Sequence, residues 1–213
     1  MFYKKATDNK VRIRTQEELE IRKHEFLKIC GILNNLQIRY FLQGGILLGA
    51  IRHNGFIQWD WDVEISVYTH EAIGKMDLLL SEITASGFSI IKHNKELSTF
   101  KVDFAGKLAD EVTSYTIFGW CHDKSKGIFW RKKLKIPDHF MANMERIELF
   151  GKYHTVPSPP EKYLEYQYGD WKTPLQTSNK NRYLTKEFSG INVVKDFVEK
   201  IENRIKRYAK KLK

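Results

Sequence analysis

The stretch Tyr40 to Ile65 reads YFLQGGILLGAIRHNGFIQWDWDVEI, and the fold turns on it. Ile38 to Leu42 is a short apolar run that stops at Gly44-Gly45, which reads as a strand entering a tight turn. Ile46 to Arg52 then reads as a short helix. Two glycines let a backbone turn sharply and let an anion approach main-chain N–H groups, and a helix N-terminus favours that anion. Most Gly-Gly turns between a strand and a helix are nevertheless only turns. Further on, Asp60, Asp62 and Glu64 are spaced by two and interleave with Val63, Ile65 and Val67. In a strand this spacing sends the acids to one face and the aliphatic residues to the other. Clustered carboxylates repel one another unless something positive lies between them, and Mg²⁺ or Mn²⁺ suits such oxygen ligands. The plain alternative is a half-buried strand with an acidic, solvated face.

Outward from this core the periodicity predicts an amphipathic helix over 15–36, opened by the capping-box pair Thr15 and Glu18. A helix is expected over 69–86, with Ile73, Met76, Leu80 and Ile83 inward. Strands are expected over 88–91, 99–104 and 112–118. Ser158-Pro159 followed by Glu161 reads as the start of a helix that ends near Gly169. A last helix is expected over 191–212. This order predicts an α+β or mixed α/β fold, with one catalytic domain over 1–213 and its core over 38–175.

The chain has 213 residues, 42% of them apolar, with thirteen Phe, ten Tyr and five Trp, enough for a sizeable core. No run is long and apolar enough to cross a bilayer, and Met1 to Arg14 lacks the apolar stretch of a signal peptide. Cys30 and Cys121 show neither metal-site spacing nor a disulfide framework. A reduced, cytoplasmic protein is therefore expected. The net charge of +10 suits nucleic acid, an anionic membrane or a phosphorylated substrate. With no zinc finger and no RNA-binding aromatic signature, nucleic acid is not the expected partner. The 191–212 segment carries a stripe of Val193, Val194, Phe197, Ile201, Ile205, Tyr208 and Leu212 among many lysines and arginines. Such a helix either packs on the domain or lies on the inner face of an anionic membrane.

The central stretch resembles the LicD family of phosphocholine transferases and the related fukutin-type transferases. The family pattern is approximately Gly-Gly-Thr-Leu-Leu-Gly, then Arg-His-x-Gly-Phe-Ile-Pro-Trp-Asp-x-Asp-x-Asp. This chain gives Gly44-Gly45-Ile46-Leu47-Leu48-Gly49 and then Arg52-His53 through Trp59-Asp60-Trp61-Asp62-Val63-Glu64. Val156-Pro157 and Tyr168-Gly169-Asp170-Trp171 continue the likeness. The departures are Ile46 for Thr, Gln58 for Pro, Glu64 for Asp, and a more polar strand after Asp110.

The resemblance implies a nucleotidyltransferase-like core and transfer of a phospho-alcohol group (phosphocholine, glycerol phosphate or ribitol phosphate) from a CDP-linked donor. The acceptor would be a hydroxyl of a sugar or lipid-linked glycan. Asp60, Asp62 and Glu64 would hold Mg²⁺ or Mn²⁺. A third acid is expected from a later strand, with Asp110 preferred to Asp103 because Gly106 stands four residues before it. Gly44, Gly45, Arg52, His53, Trp61 and Tyr168 are the expected substrate contacts. Arg52 reads as a phosphate clamp, while His53 serves equally as a helix-end charge. Trp130-Arg131-Lys132-Lys133 reads as a solvated basic strand edge or the lining of an anionic pocket. The alternatives are a nucleotidyltransferase joining an NTP to a small alcohol or RNA end, and an inactive nucleotide- or glycan-binding member.

Overall fold

The computed structural model describes residues 12–60, 62–108, 114–177 and 183–189. Trp61, Asp110 and the expected helix over 191–212 lie outside the described residues.

Helix α1 spans Gln16–Asn35. Its start follows from sequence: Thr15 Oγ1 accepts from the Glu18 N–H at 3.2 Å, and Glu18 Oε2 accepts from the Thr15 N–H at 2.8 Å. Such a reciprocal cap is worth about 1 kcal/mol. The helix buries Phe26, Ile29 and Leu33 as expected, and also Arg22 and Glu25.

Strand β1 (Tyr40–Leu42) runs into α2 (Gly44–His53), which leads by a loop to β2 (Asp62–Tyr68). The sheet continues through β3 (Ser89–Asn94), β4 (Lys101–Ala105) and β5 (Ser114–Asp123), in the order β1-β2-β5-β4-β3. β2 and β5 are parallel and the other pairs on this path are antiparallel. The mixed sheet with flanking helices matches the expected mixed α/β class. A hairpin of β6 (Ile128–Arg131) and β7 (Leu134–Pro137) extends from the far end of β5. A separate pair, β8 (Glu145–Leu149) and β9 (Lys152–Val156), packs Tyr40 against His154.

Register divides the sheet into two faces. Val63, Ile65, Val67, Val102, Phe104, Tyr115 and Ile117 are buried together on one face. Asp62, Glu64, Thr116 and Asp103 lie on the other, with Glu64 opposite Thr116 and Thr116 opposite Asp103.

The expected helix over 69–86 is broken in three: α3 (Thr69–Ala72), a 3₁₀ turn (Ile73–Lys75) and α4 (Met76–Ala85). Gly74 lies in that turn, and glycine is a poor helix former. The break shifts the inward face, so Leu79 is buried and Leu80 only partly so. The helix after Val156 is α6 (Pro160–Tyr168), with Pro160 rather than Pro159 in its first turn. Short helices α5 (His139–Ala142) and α7 (Lys186–Ser189) were not expected from sequence. Cys30 and Cys121 are both free thiols.

Candidate active site

One cavity of about 540 Å³ is lined by Gly44, Gly45, Asp60, Asp62, Glu64, Arg52 and Tyr168, among others. The described substrate candidates and the three acids of the central stretch thus come together, apart from His53, which is not on the wall. Asp62 and Glu64 project from the polar face of β2, as the alternation predicts. Asp60 precedes the strand, and backbone contacts position it instead. Its carbonyl accepts from Arg22 Nη1 at 2.8 Å and from Arg14 Nε at 3.0 Å. Both arginines are buried, and burial lowers the Arg14 guanidinium to about 10. Sequence reading missed this pair, because a buried arginine on an amphipathic helix, such as Arg22, or just before it, such as Arg14, has no motif.

The two glycines do different things. Gly44 has φ +67, and a β-carbon there would have only ordinary contacts, 3.8 Å from Glu64 Oε2 and from the Tyr168 hydroxyl. Gly45 is needed for space: a β-carbon would lie 2.1 Å from Asp60 Oδ2. Two carboxylates therefore sit at the N-terminus of α2, where the helix dipole stabilises negative charge. The Gly44 N–H is taken by Gln167 Oε1 at 3.3 Å, so it is not an open anion donor. Gln43 is fixed in turn by a hydrogen bond from the buried Tyr163 hydroxyl at 2.5 Å.

Arg52 is half-buried, donating from Nε to His53 Nε2 at 2.8 Å and from Nη1 to the Trp171 carbonyl at 3.3 Å. His53 accepts through Nε2, so it is neutral with its proton on Nδ1. Burial, and then Arg52, lower its pKa, in keeping with that form. Tyr168 approaches the acids from α6, and Gly169 closes that helix with φ +69. Tyr183, which no spacing singled out, also lines the cavity, with its ring 6.0 Å from that of Tyr168. Burial first, then the neighbouring carboxylates, raise both phenols well above their ordinary pKa, so both stay protonated hydrogen-bond donors.

Among the described residues, no three His, Cys, Asp or Glu side chains converge closely enough to hold a metal ion by themselves. Asp60, Asp62 and Glu64 share a cavity but do not close around one point. Asp103 lies in the Glu64 row, accepting from Thr116 Oγ1 at 2.7 Å and pairing with Lys101 Nζ at 2.7 Å. Of the two readings of Trp130 to Lys133, a solvated strand edge or a pocket lining, Arg131 follows the second: it is buried and lines the cavity.

Residues 37–159 match the family model described as LicD/FKTN/FKRP, nucleotidyltransferase domain, which is more than half of the chain. The chain belongs to the LicD/FKTN/FKRP family. Its Gly44-Gly45 turn and its acids at 60, 62 and 64 fall inside the matched segment. The chain is 26% identical over 148 residues to the human ribitol 5-phosphate transferase FKRP, a match covering 66% of this chain and 30% of that protein. It is 29% identical over 147 residues to an uncharacterized protein of Rickettsia prowazekii, covering 66% and 51%. A 52-residue segment is 44% identical to the lipopolysaccharide cholinephosphotransferase LicD of Haemophilus influenzae, covering 24% and 20%. The chain thus spans a minor part of FKRP and about half of the Rickettsia protein. Among solved structures, it is similar to the lincomycin-bound lincosamide adenylyltransferase LnuA at TM-score 0.47 and 11% identity, covering 75% of this chain and 90% of that one. For the antibiotic-resistance factor ANT(2'')-Ia the TM-score is 0.48 at 11% identity, covering 91% and 96%.

Proposed function

We propose that this LicD/FKTN/FKRP-family chain moves a phospho-alcohol group from a CDP-linked donor to a hydroxyl of a glycan. The observation that carries the reading is the seating of Asp60 and Glu64 against Gly45 and Gly44, in one cavity at the positive end of α2. The named relatives supply the substrate class: ribitol phosphate transfer for FKRP and phosphocholine transfer for LicD.

The donor set fits a hard divalent ion that completes its shell with substrate phosphate, since Mg²⁺ is commonly held by one or two carboxylates plus phosphate oxygens. Asp60, Asp62 and Glu64 are the residues that would hold Mg²⁺ or Mn²⁺. Such an ion supplies neutralisation of the donor diphosphate and of charge on the leaving nucleotide. The chain's own groups do the rest. The carboxylates at the start of α2, with a divalent ion between them and the donor, would bring the phosphates to this wall, and Arg52 adds positive charge beside Trp59. The protonated phenols of Tyr168 and Tyr183 donate toward bound oxygens. Asp60 or Asp110 would accept the proton of the attacking hydroxyl.

Among the described residues no helix is long and apolar enough to cross a membrane. A lipid-linked acceptor would be met at a membrane surface from the cytoplasmic side, with 191–212 as the proposed contact. The test is CMP release from CDP-choline, CDP-glycerol and CDP-ribitol with Mg²⁺ and a glycan acceptor panel. CMP from one of the three supports the reading. Pyrophosphate released from ATP or GTP, with no CMP from any CDP-alcohol, would establish nucleotidyl transfer instead.

A further inference from the structure

Arg131 stands on β6 with its guanidinium carbon 4.4 Å from the centre of the Phe118 ring. It is 9% exposed and belongs to the cavity wall that carries Glu64. Its Nε is sealed from solvent and meets no acceptor among the described residues. Arginine keeps its charge even when burial disfavours it, so a full positive charge is present here with its Nε unspent. Glu64 and Asp103 lie near enough to favour that charge. Asp103, however, is already engaged by Lys101 and Thr116. The cavity's other arginine, Arg52, has donors committed to His53 and Trp171.

A buried guanidinium held over an aromatic ring, with its Nε unpartnered, is pre-oriented for an oxyanion, because a planar fork loses little freedom on binding phosphate. We propose that Arg131 is an anion-binding residue of this cavity and takes a phosphoryl oxygen of a diphosphate-bearing ligand. The identity of that ligand, a CDP-linked donor, rests on the function proposed above; the anion site itself does not. The opposing account makes Arg131 a purely structural counter-charge for Glu64 and Asp103.

The test uses the full chain, labelled with ¹⁵N, with Mg²⁺ present. The Arg131 Nε–H resonance is assigned by its loss in Arg131→Lys. CDP and inorganic pyrophosphate are expected to shift this resonance, and cytidine is expected to leave it in place. In Arg131→Lys, CDP affinity should fall about tenfold or more. A circular dichroism spectrum like that of the wild type shows that the variant is folded, and the wild-type resonance carries the test if it is not. If pyrophosphate shifts the signal but CDP does not bind, the donor assignment fails and the anion site stands. If no diphosphate moves the resonance, or CDP binds while the resonance stays fixed, Arg131 is structural and the inference is overturned.

Discussion

The Asp60 carboxylate rests on the Cα of Gly45, so close that a β-carbon at position 45 would fall 2.1 Å from Oδ2. Gly45→Ala must therefore move the Asp60 carboxylate from its place. Displacing a reacting group by about an ångström costs on the order of a hundredfold in rate, and this loss is expected with a folded protein. Gly44→Ala is the contrasting case. The added methyl has room, but φ +67 strains any L-residue, so a stability loss of about 1 kcal/mol is expected with a smaller effect on turnover. Turnover and urea melts of both variants check the pair. Equal behaviour of the two would mean that Asp60 is not fixed by this contact.

Asp60 is held from behind as well. Arg22 is fully buried and donates from Nη1 to the Asp60 carbonyl at 2.8 Å. Arg22→Met keeps most of the volume but leaves that carbonyl with one donor fewer. The expected cost is about 2 kcal/mol, typical of a lost bond to a charged donor, together with reduced turnover. A variant of wild-type stability and turnover would show that Arg14 alone suffices.

The core of this arrangement was legible in the sequence because it obeys local rules. Alternation at Asp62, Val63, Glu64 and Ile65 places acids and core on opposite faces, and Thr15 with Glu18 announces α1. Tertiary packing decided the rest. Arg22 and Arg131 look like surface residues until the chain folds over them, since charge biases any sequence reading toward solvent. The β8–β9 hairpin turns through Phe150 and Gly151, with φ of 56° and 72°. Phenylalanine is a rare residue for that conformation, and packing against Phe26 and Phe56 accompanies it here.

The third acid is separable by substitution. Sequence spacing favoured Asp110, which lies outside the described residues, whereas the sheet register places Asp103 in the Glu64 row through Thr116. Asp103 is tied to Lys101 and Thr116 and is not on the cavity wall. Asp110→Asn is therefore expected to lower turnover more than Asp103→Asn, with both variants folded. The reverse ranking would give the role to Asp103.

Stability should fall in mild acid through His154, which is 2% exposed. Its Nε2–H donates to the Leu149 carbonyl at 3.3 Å, and its Nδ1 accepts from the Tyr40 hydroxyl at 3.0 Å, so the ring is neutral. Burial lowers its pKa below 6.5. The unfolded chain therefore binds the extra proton first. The contribution is fully present above pH 6.5 and is lost as pH falls, by at most about 1.4 kcal/mol per pH unit. Urea unfolding at pH 7.5 and 5.5 should show the loss in the wild type and a smaller difference in His154→Gln. An unchanged difference would assign the acid sensitivity elsewhere.

The cavity at the start of α2 is proposed to bind a CDP-linked donor through its carboxylates and a divalent ion. Calorimetric titration of the wild type, Asp62→Ala and Glu64→Ala with CDP-choline, CDP-glycerol and CDP-ribitol, with Mg²⁺ and then with EDTA, tests it most directly. At least one CDP-alcohol is expected to bind in a way that needs Mg²⁺ and weakens about tenfold or more in either variant. Binding that is indifferent to both the ion and the two substitutions, or binding of ATP or GTP with no CDP-alcohol bound, would contradict it.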